Sequence, residues 1–186
     1  MLTGDLTGRL VGLGWQIQTE VSYAHDGERG SIDAFGWHAA TAAALISEVK
    51  TELTSTEATL RKHDEKVRLA ARIALDRFGV RPRFVIRLLV LPEHSTERRR
   101  VARHEAVLRA AYPLRGRAAW AMLAQPSGPA SALVFLSPTS DRGVRRAAVT
   151  RVRRATAVAS VDHRNARVAE GLGGPIRSDS TAARRR

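Results

Sequence analysis

Between Trp15 and Thr51 the chain passes through three short stretches with the period of a strand, separated by turn residues. Trp15, Ile17, Val21 and Tyr23 alternate with Gln16, Gln18, Glu20 and Ser22, which sets one strand face against a core and the other against water. Asp26-Gly27 follows, the dipeptide suited to a two-residue type I′ hairpin turn because both central positions take positive φ. Ser31–His38 reads as the second strand and Ala44–Thr51 as the third. This part of the chain is therefore restricted to an antiparallel meander, and its registers can be worked out.

In an antiparallel pair, directly opposed residues have position numbers with a constant sum. A turn at Asp26-Gly27 sets that sum at 53 and places Glu20 opposite Asp33. A second turn centred between Ala40 and Thr41 sets it at 81 and places Asp33 opposite Glu48. The three carboxylates then form a row across neighbouring strands, each ~5 Å from the next. Lys50, two residues past Glu48, points to the same face.

Like charges directly opposed destabilise a sheet. Such a row is best explained by a cation between the oxygens, and Mg²⁺ or Mn²⁺ suits carboxylate ligands with retained waters. A metal there can polarise a phosphodiester oxygen and lower the pKa of a bound water. An adjacent ammonium can hold the attacking water or offset charge developing on the phosphorus oxygens.

The remaining pattern builds around this meander. Leu6, Leu10, Val11 and Leu13 give Leu2–Leu13 the spacing of a short first helix ended by Gly14. Thr54-x-x-Glu57 has the form of a capping box opening a long helix. Leu60, Val67, Ala70, Ala71, Ala74, Leu75 and Phe78 are read as its apolar stripe, and Gly79 and Pro82 close it. Phe84–Leu91 is nearly all apolar, as a strand covered on both faces must be. Residues 96–124 read as one or two helices broken at Pro113, and Ala132–Leu136 as a last strand. The order is α-β-β-β-α-β, then helix and strand, which predicts an α/β mixed sheet flanked by helices.

Composition narrows the setting. The 186 residues allow one domain of about 1–138 and an extension, 139–186. No cysteine is present, so disulfides and thiolate zinc sites are excluded. No apolar run reaches the ~18–20 residues of a membrane span, and MLTGDLTGRL lacks the order of a signal peptide. The expectation is a cytoplasmic protein with no membrane partner. Net charge is +13, and residues 141–186 carry 12 Arg against 4 acids. Such a basic extension suits a phosphate-rich partner, although an Arg-rich, Lys-poor composition also follows from GC-rich coding. Residues 171–186 have the composition of disorder.

The residues Gly30-Ser31-Ile32-Asp33 on one strand and Glu48-Val49-Lys50 on the next form a G-x-x-D…E-x-K pattern. In that element order the chain resembles the PD-(D/E)xK, or restriction-endonuclease-like, nuclease superfamily over about residues 1–92. The resemblance implies a restriction-endonuclease-like core and a metal-dependent nuclease; DNA is the expected nucleic acid, with RNA left open. It implies Asp33 and Glu48 as metal ligands and Lys50 as the catalytic lysine. It also draws attention to Lys66 and Arg68, because the following helix often carries a residue that reaches the site or the phosphate backbone. Exposed pairing of these two with Asp64 or Glu65 is the plainer expectation for them.

The chain departs from the family at the first helix, where many members carry a metal-binding acid and only Asp5 stands here. Glu20, placed by the hairpin arithmetic, is the candidate third ligand instead. Such domains in some proteins follow a helix-turn-helix module, and none is evident in this sequence. Arg98 and Arg99, in the run Arg98-Arg99-Arg100, are read as starting a helix where cations oppose the macrodipole, which favours a phosphate contact, with a solvated surface as the plainer expectation. Dimerisation to cut two strands is common in such nucleases, so a homodimer is an additional expectation. Some relatives keep the fold without catalysis, which leaves a silent DNA-binding or regulatory protein as the alternative.

Overall fold

A computed structural model of the chain describes residues 1–25 and 27–137. Asp26 of the hairpin turn and the basic extension 139–186 lie outside the described residues. The elements are α1 (Leu2–Val11), β1 (Gln16–His25), β2 (Glu28–His38), β3 (Ala43–Val49), α2 (Thr56–Phe78) and β4 (Phe84–Pro92). They are followed by α3 (Ser95–Arg103), α4 (Glu105–Ala111), β5 (Leu114–Arg115), α5 (Gly116–Ala124) and β6 (Ala130–Leu136).

The six strands form one mixed sheet in the order β1-β2-β3-β4-β6-β5. The first three are an antiparallel meander. From β3 onward neighbours run parallel, because α2 carries the chain from β3 across to β4. The α-β-β-β-α-β order and the mixed, helix-flanked sheet are as the pattern predicts.

Alternation along β3 assigns the two faces. Ala43 and Leu45 pack with Leu6 and Leu10 of α1 and Ala119 and Leu123 of α5. Ala44 and Ile46 pack with Leu69, Ala70, Ile73 and Ala74 of α2. Val101 of α3 and Leu108 of α4 extend that second layer over Leu89, Leu91 and Leu133. β4 lies between two parallel partners and is covered on both sides, so its run of Leu and Val is buried throughout. Trp15 is core, 2% exposed, and its indole N–H donates to the Leu123 carbonyl of α5 at 2.8 Å.

Two boundaries differ from expectation. The cap of α2 is Ser55, whose Oγ accepts from the Ala58 N–H at 3.2 Å, so the Thr54–Glu57 box lies one residue too early. At the other end Gly79, with φ 66°, makes the left-handed cap that the sequence signals. The 96–124 region is three helices and a two-residue strand, divided at His104 as well as near Pro113. No helix among the described residues is long and apolar enough to cross a membrane.

Candidate active site

Both registers hold. β1 and β2 pair as His25↔Glu28, Val21↔Ile32 and Thr19↔Ala34, each summing to 53, and Gly27 takes φ 81° in the turn. β2 and β3 pair from His38↔Ala43 to Ala34↔Ser47, each summing to 81. The rungs that would carry the carboxylates are nevertheless missing from both ladders.

The cause lies at Glu20, a non-glycine residue with φ 53°. A single left-handed residue turns the strand by one position, so the faces on either side fall out of phase. Val21 and Tyr23 pack against α2, yet so does the side of β1 bearing Gln18, which lines a cleft with Phe35, Trp37 and Phe78. On β2, Ile32 and Phe35 both join the α2 layer although they are three residues apart. The expected row of three carboxylates therefore does not form. Glu20 is exposed, makes a long 3.5 Å contact to Ser31 Oγ, and borders a surface cleft with Arg77 and Phe78.

Asp33 and Glu48 remain close. Asp33 Oδ2 accepts a 2.7 Å hydrogen bond from the Val49 N–H, tying β2 to the end of β3. Burial raises the Asp33 pKa, the Val49 bond opposes that rise, and the Glu48 charge adds to it. Glu48 is 3% exposed. Its Oε1 lies 2.6 Å from Lys50 Nζ, and its Oε2 is paired with Lys66 Nζ. Burial pushes the Glu48 carboxyl upward, but the two ammonium groups outweigh it and hold the carboxyl below its ordinary range.

Lys50 follows β3 directly, and its N–H continues the ladder to the Val90 carbonyl at 3.0 Å. Its side chain is 37% exposed, so it retains freedom to move. Lys66 is different. Its side chain is 7% exposed and it reaches Glu48 from α2, instead of pairing on an exposed face with Asp64 or Glu65. The period of α2 accounts for this: Lys66 follows His63 by three residues and precedes Ala70 by four, all on the sheet-facing stripe.

His63 is fully buried beneath the site, with Nε2 3.1 Å from the Ile46 carbonyl and Nδ1 2.8 Å from the Tyr112 hydroxyl. A carbonyl only accepts, so Nε2 carries the proton and Nδ1 accepts from Tyr112. Burial, helped by the Arg87 charge, pushes the imidazole pKa down to about 3. The ring is a neutral brace between β3, α2 and the end of α4. Glu97 of α3, 4% exposed, accepts from the Leu53 N–H at 2.9 Å and fastens the segment after Lys50. Sequence reasoning passed over Glu97. Its position four residues before the buried Val101, on the same stripe of α3, was the available signal.

The other predicted phosphate contacts are dispersed. Arg68 is exposed and pairs with Glu28 of β2. Arg98 and Arg99 are exposed on α3, where Arg98 pairs with Glu93, Nη2 to Oε2 at 2.8 Å. Arg99 Nε donates to the Ser95 carbonyl at 3.3 Å. The helix begins at Ser95, three residues before Arg98, so these arginines do not oppose its N-terminal dipole as expected.

Among the described residues no group of three or more His, Asp or Glu side chains gathers in a metal-holding arrangement. Asp33 and Glu48 still supply hard carboxylate oxygens from adjacent strands, and Mg²⁺ is commonly held by one or two such groups with several waters. That donor set fits a small divalent cation, provided that Glu48 gives up one ammonium. Lys50 is the partner with the freedom to leave. The chain matches no protein-family model, no curated protein and no solved structure.

Proposed function

We propose that this protein is a metal-dependent nuclease with a restriction-endonuclease-like core, acting on the phosphodiester bonds of DNA. The observation that carries this reading is the convergence of Asp33, Glu48 and Lys50 at the point where β2 and β3 stop pairing. Asp33 and Glu48 would hold Mg²⁺ or Mn²⁺, which supplies charge neutralisation at a phosphodiester and a lowered pKa for water. Lys50, once released from Glu48, is free to place its ammonium beside the attacking water or the developing oxyanion. Lys66 keeps the Glu48 carboxylate ionised and oriented while Lys50 moves. The Val49 N–H does the same for Asp33.

Thermal melting with and without millimolar Mg²⁺ or Mn²⁺ tests the metal site. Binding to the native state raises the melting temperature, and Asp33→Ala abolishes the rise. Incubation with labelled single-stranded, duplex and branched DNA, alongside EDTA controls, then reads cleavage and substrate preference. No metal-dependent product on any substrate would overturn the proposal.

A second reading has its own observation. Both oxygens of Glu48 are already met by lysines, so two carboxylates and two ammoniums balance without a metal. A silent nuclease-fold protein that binds DNA would leave this cluster as a structural brace. Salt-sensitive DNA binding without cleavage, unchanged by Asp33→Ala, distinguishes it.

A further inference from the structure

At the β5–β6 edge a cleft of about 470 Å³ opens between α3, α4 and α5. It shares an end of the sheet with the acid pair. Glu48 is level with Leu89, and Leu89 with Leu133, which lines the cleft. Two strand spacings separate them, about 10 Å.

The lining combines cations and aromatic rings. Arg98, Arg109 and Arg115 face it with one acid, Glu105, and Trp120 and Phe135 form apolar walls. The Arg98 guanidinium carbon is 4.5 Å from the Phe135 ring centroid. Glu105 is shared unequally. Its Oε1 takes both Nε and Nη2 of Arg109, at 2.8 and 2.7 Å. Arg115 Nη1 is left 3.7 Å from Oε2, too far for a hydrogen bond.

Arg115 is the incomplete member. Its side chain is 21% exposed, and its Nε donates to the Tyr112 carbonyl at 3.1 Å. Its Nη2 is buried with no hydrogen-bond partner among the described residues. Burial lowers its pKa, and Glu105 offsets only part of that cost. With Nη2 out of solvent contact and Nε engaged, Nη1 is the nitrogen Arg115 can offer to the cleft, where a phosphate oxygen shared with the exposed Arg109 guanidinium would pair both cations.

We propose that the cleft is a second nucleic-acid subsite, which seats one nucleotide of a single strand with its phosphate on Arg109 and Arg115 and its base against Trp120 and the Arg98–Phe135 pair. A peptide carboxylate would satisfy the guanidiniums but leave the aromatic walls without a planar partner. The proposal rests on the nucleic-acid reading above, and it is independent of catalysis.

Binding of fluorescein-labelled oligothymidylate to the full chain, followed by anisotropy in EDTA, tests it without any contribution from cleavage. Arg109→Gln changes a side chain that is 65% exposed and is not expected to disturb folding. It should weaken binding about 10-fold and reduce the slope of log affinity against log salt by about one. Arg115→Gln should do the same where circular dichroism shows it folded. The control is Arg83→Gln, an exposed residue just before β4 at the opposite end of the parallel strands. It removes the same charge and should leave affinity within about twofold of the wild type. Equal weakening by Arg83→Gln and Arg109→Gln, or unchanged binding in Arg109→Gln, overturns the subsite. Absence of single-strand binding overturns it too, and a chain that still cuts duplex DNA would then retain the nuclease reading.

Discussion

The Asp33 carboxylate accepts the Val49 N–H at 2.7 Å, so a side chain of β2 stands where its backbone has stopped pairing with β3. This contact holds an acid against a second acid, Glu48, in a partly buried setting. The raised Asp33 pKa is the result, with burial as the larger cause.

That rise makes Asp33 a cost to the metal-free fold. A carboxyl with a folded pKa above its unfolded value favours the folded state below that value, and loses this advantage as pH rises through the folded pKa. Asp33→Asn keeps an acceptor for Val49 and removes the charge. Its melting temperature should exceed that of the wild type at pH 7 without metal, and the gain should fade in acid. Paired thermal melts from pH 7 to pH 3 measure this, and equal melting temperatures throughout would count against the burial argument.

The Glu48–Lys66 pair is buried on both sides, at 4% and 7% side-chain exposure. Removing one partner of such a pair strands the other charge and costs about 3–5 kcal/mol. Glu48→Gln strands Lys66 and should destabilise in that range, whereas Lys66→Met leaves Glu48 paired with Lys50 and should cost less. The double variant should lose clearly less than their sum, by denaturant unfolding in a double-mutant cycle. Additive losses would show that the two charges are not coupled.

His63 gives the protein an acid sensitivity unrelated to the carboxylates. Its folded pKa of about 3 lies below the unfolded value of 6.5. As pH falls from about 6.5 toward about 3, the unfolded chain takes up a proton that the folded chain refuses, and stability falls with it. One proton corresponds to a slope of at most about 1.4 kcal/mol per pH unit. Urea unfolding between pH 7 and pH 4 should show this slope in the wild type and a flatter line in His63→Gln. Glu48, beside the ring and held below its ordinary range, adds to the slope that remains in His63→Gln.

Ser47 lies fully buried on β3, and its Oγ has no hydrogen-bond partner among the described residues. An unmatched buried hydroxyl costs about 1–3 kcal/mol. Ser47→Ala should therefore be neutral or stabilising by about 1 kcal/mol in chemical denaturation. A loss of 2 kcal/mol or more would mean that the hydroxyl is bonded.

The legible features were those set by local chemistry. Asp26-Gly27 specified one hairpin register, and the short loop after His38 specified the next, so Asp33 and Glu48 were correctly placed on neighbouring strands. The apolar run at Phe84 announced a central strand for the same reason, since no polar face was available to expose. The backbone turn at Glu20 was hidden, because nothing in Gln18-Thr19-Glu20-Val21 demands a positive φ. Lys66 was hidden by its neighbours. In Asp64-Glu65-Lys66-Val67-Arg68 it reads as one charge among several on a wet face, whereas the helix phase turns it alone toward Glu48. The division of the 96–124 region at His104 had no Pro or Gly to signal it.

The most direct measurement is the first-order rate of nicking of supercoiled plasmid in Mg²⁺ or Mn²⁺ by the wild type, Asp33→Asn and Lys50→Ala. The account predicts metal-dependent nicking, abolished by EDTA and reduced at least about 100-fold in each variant, the scale of losing an aligned catalytic group. Cleavage that persists in Lys50→Ala, or a wild-type protein that binds the plasmid and leaves it intact, would contradict it.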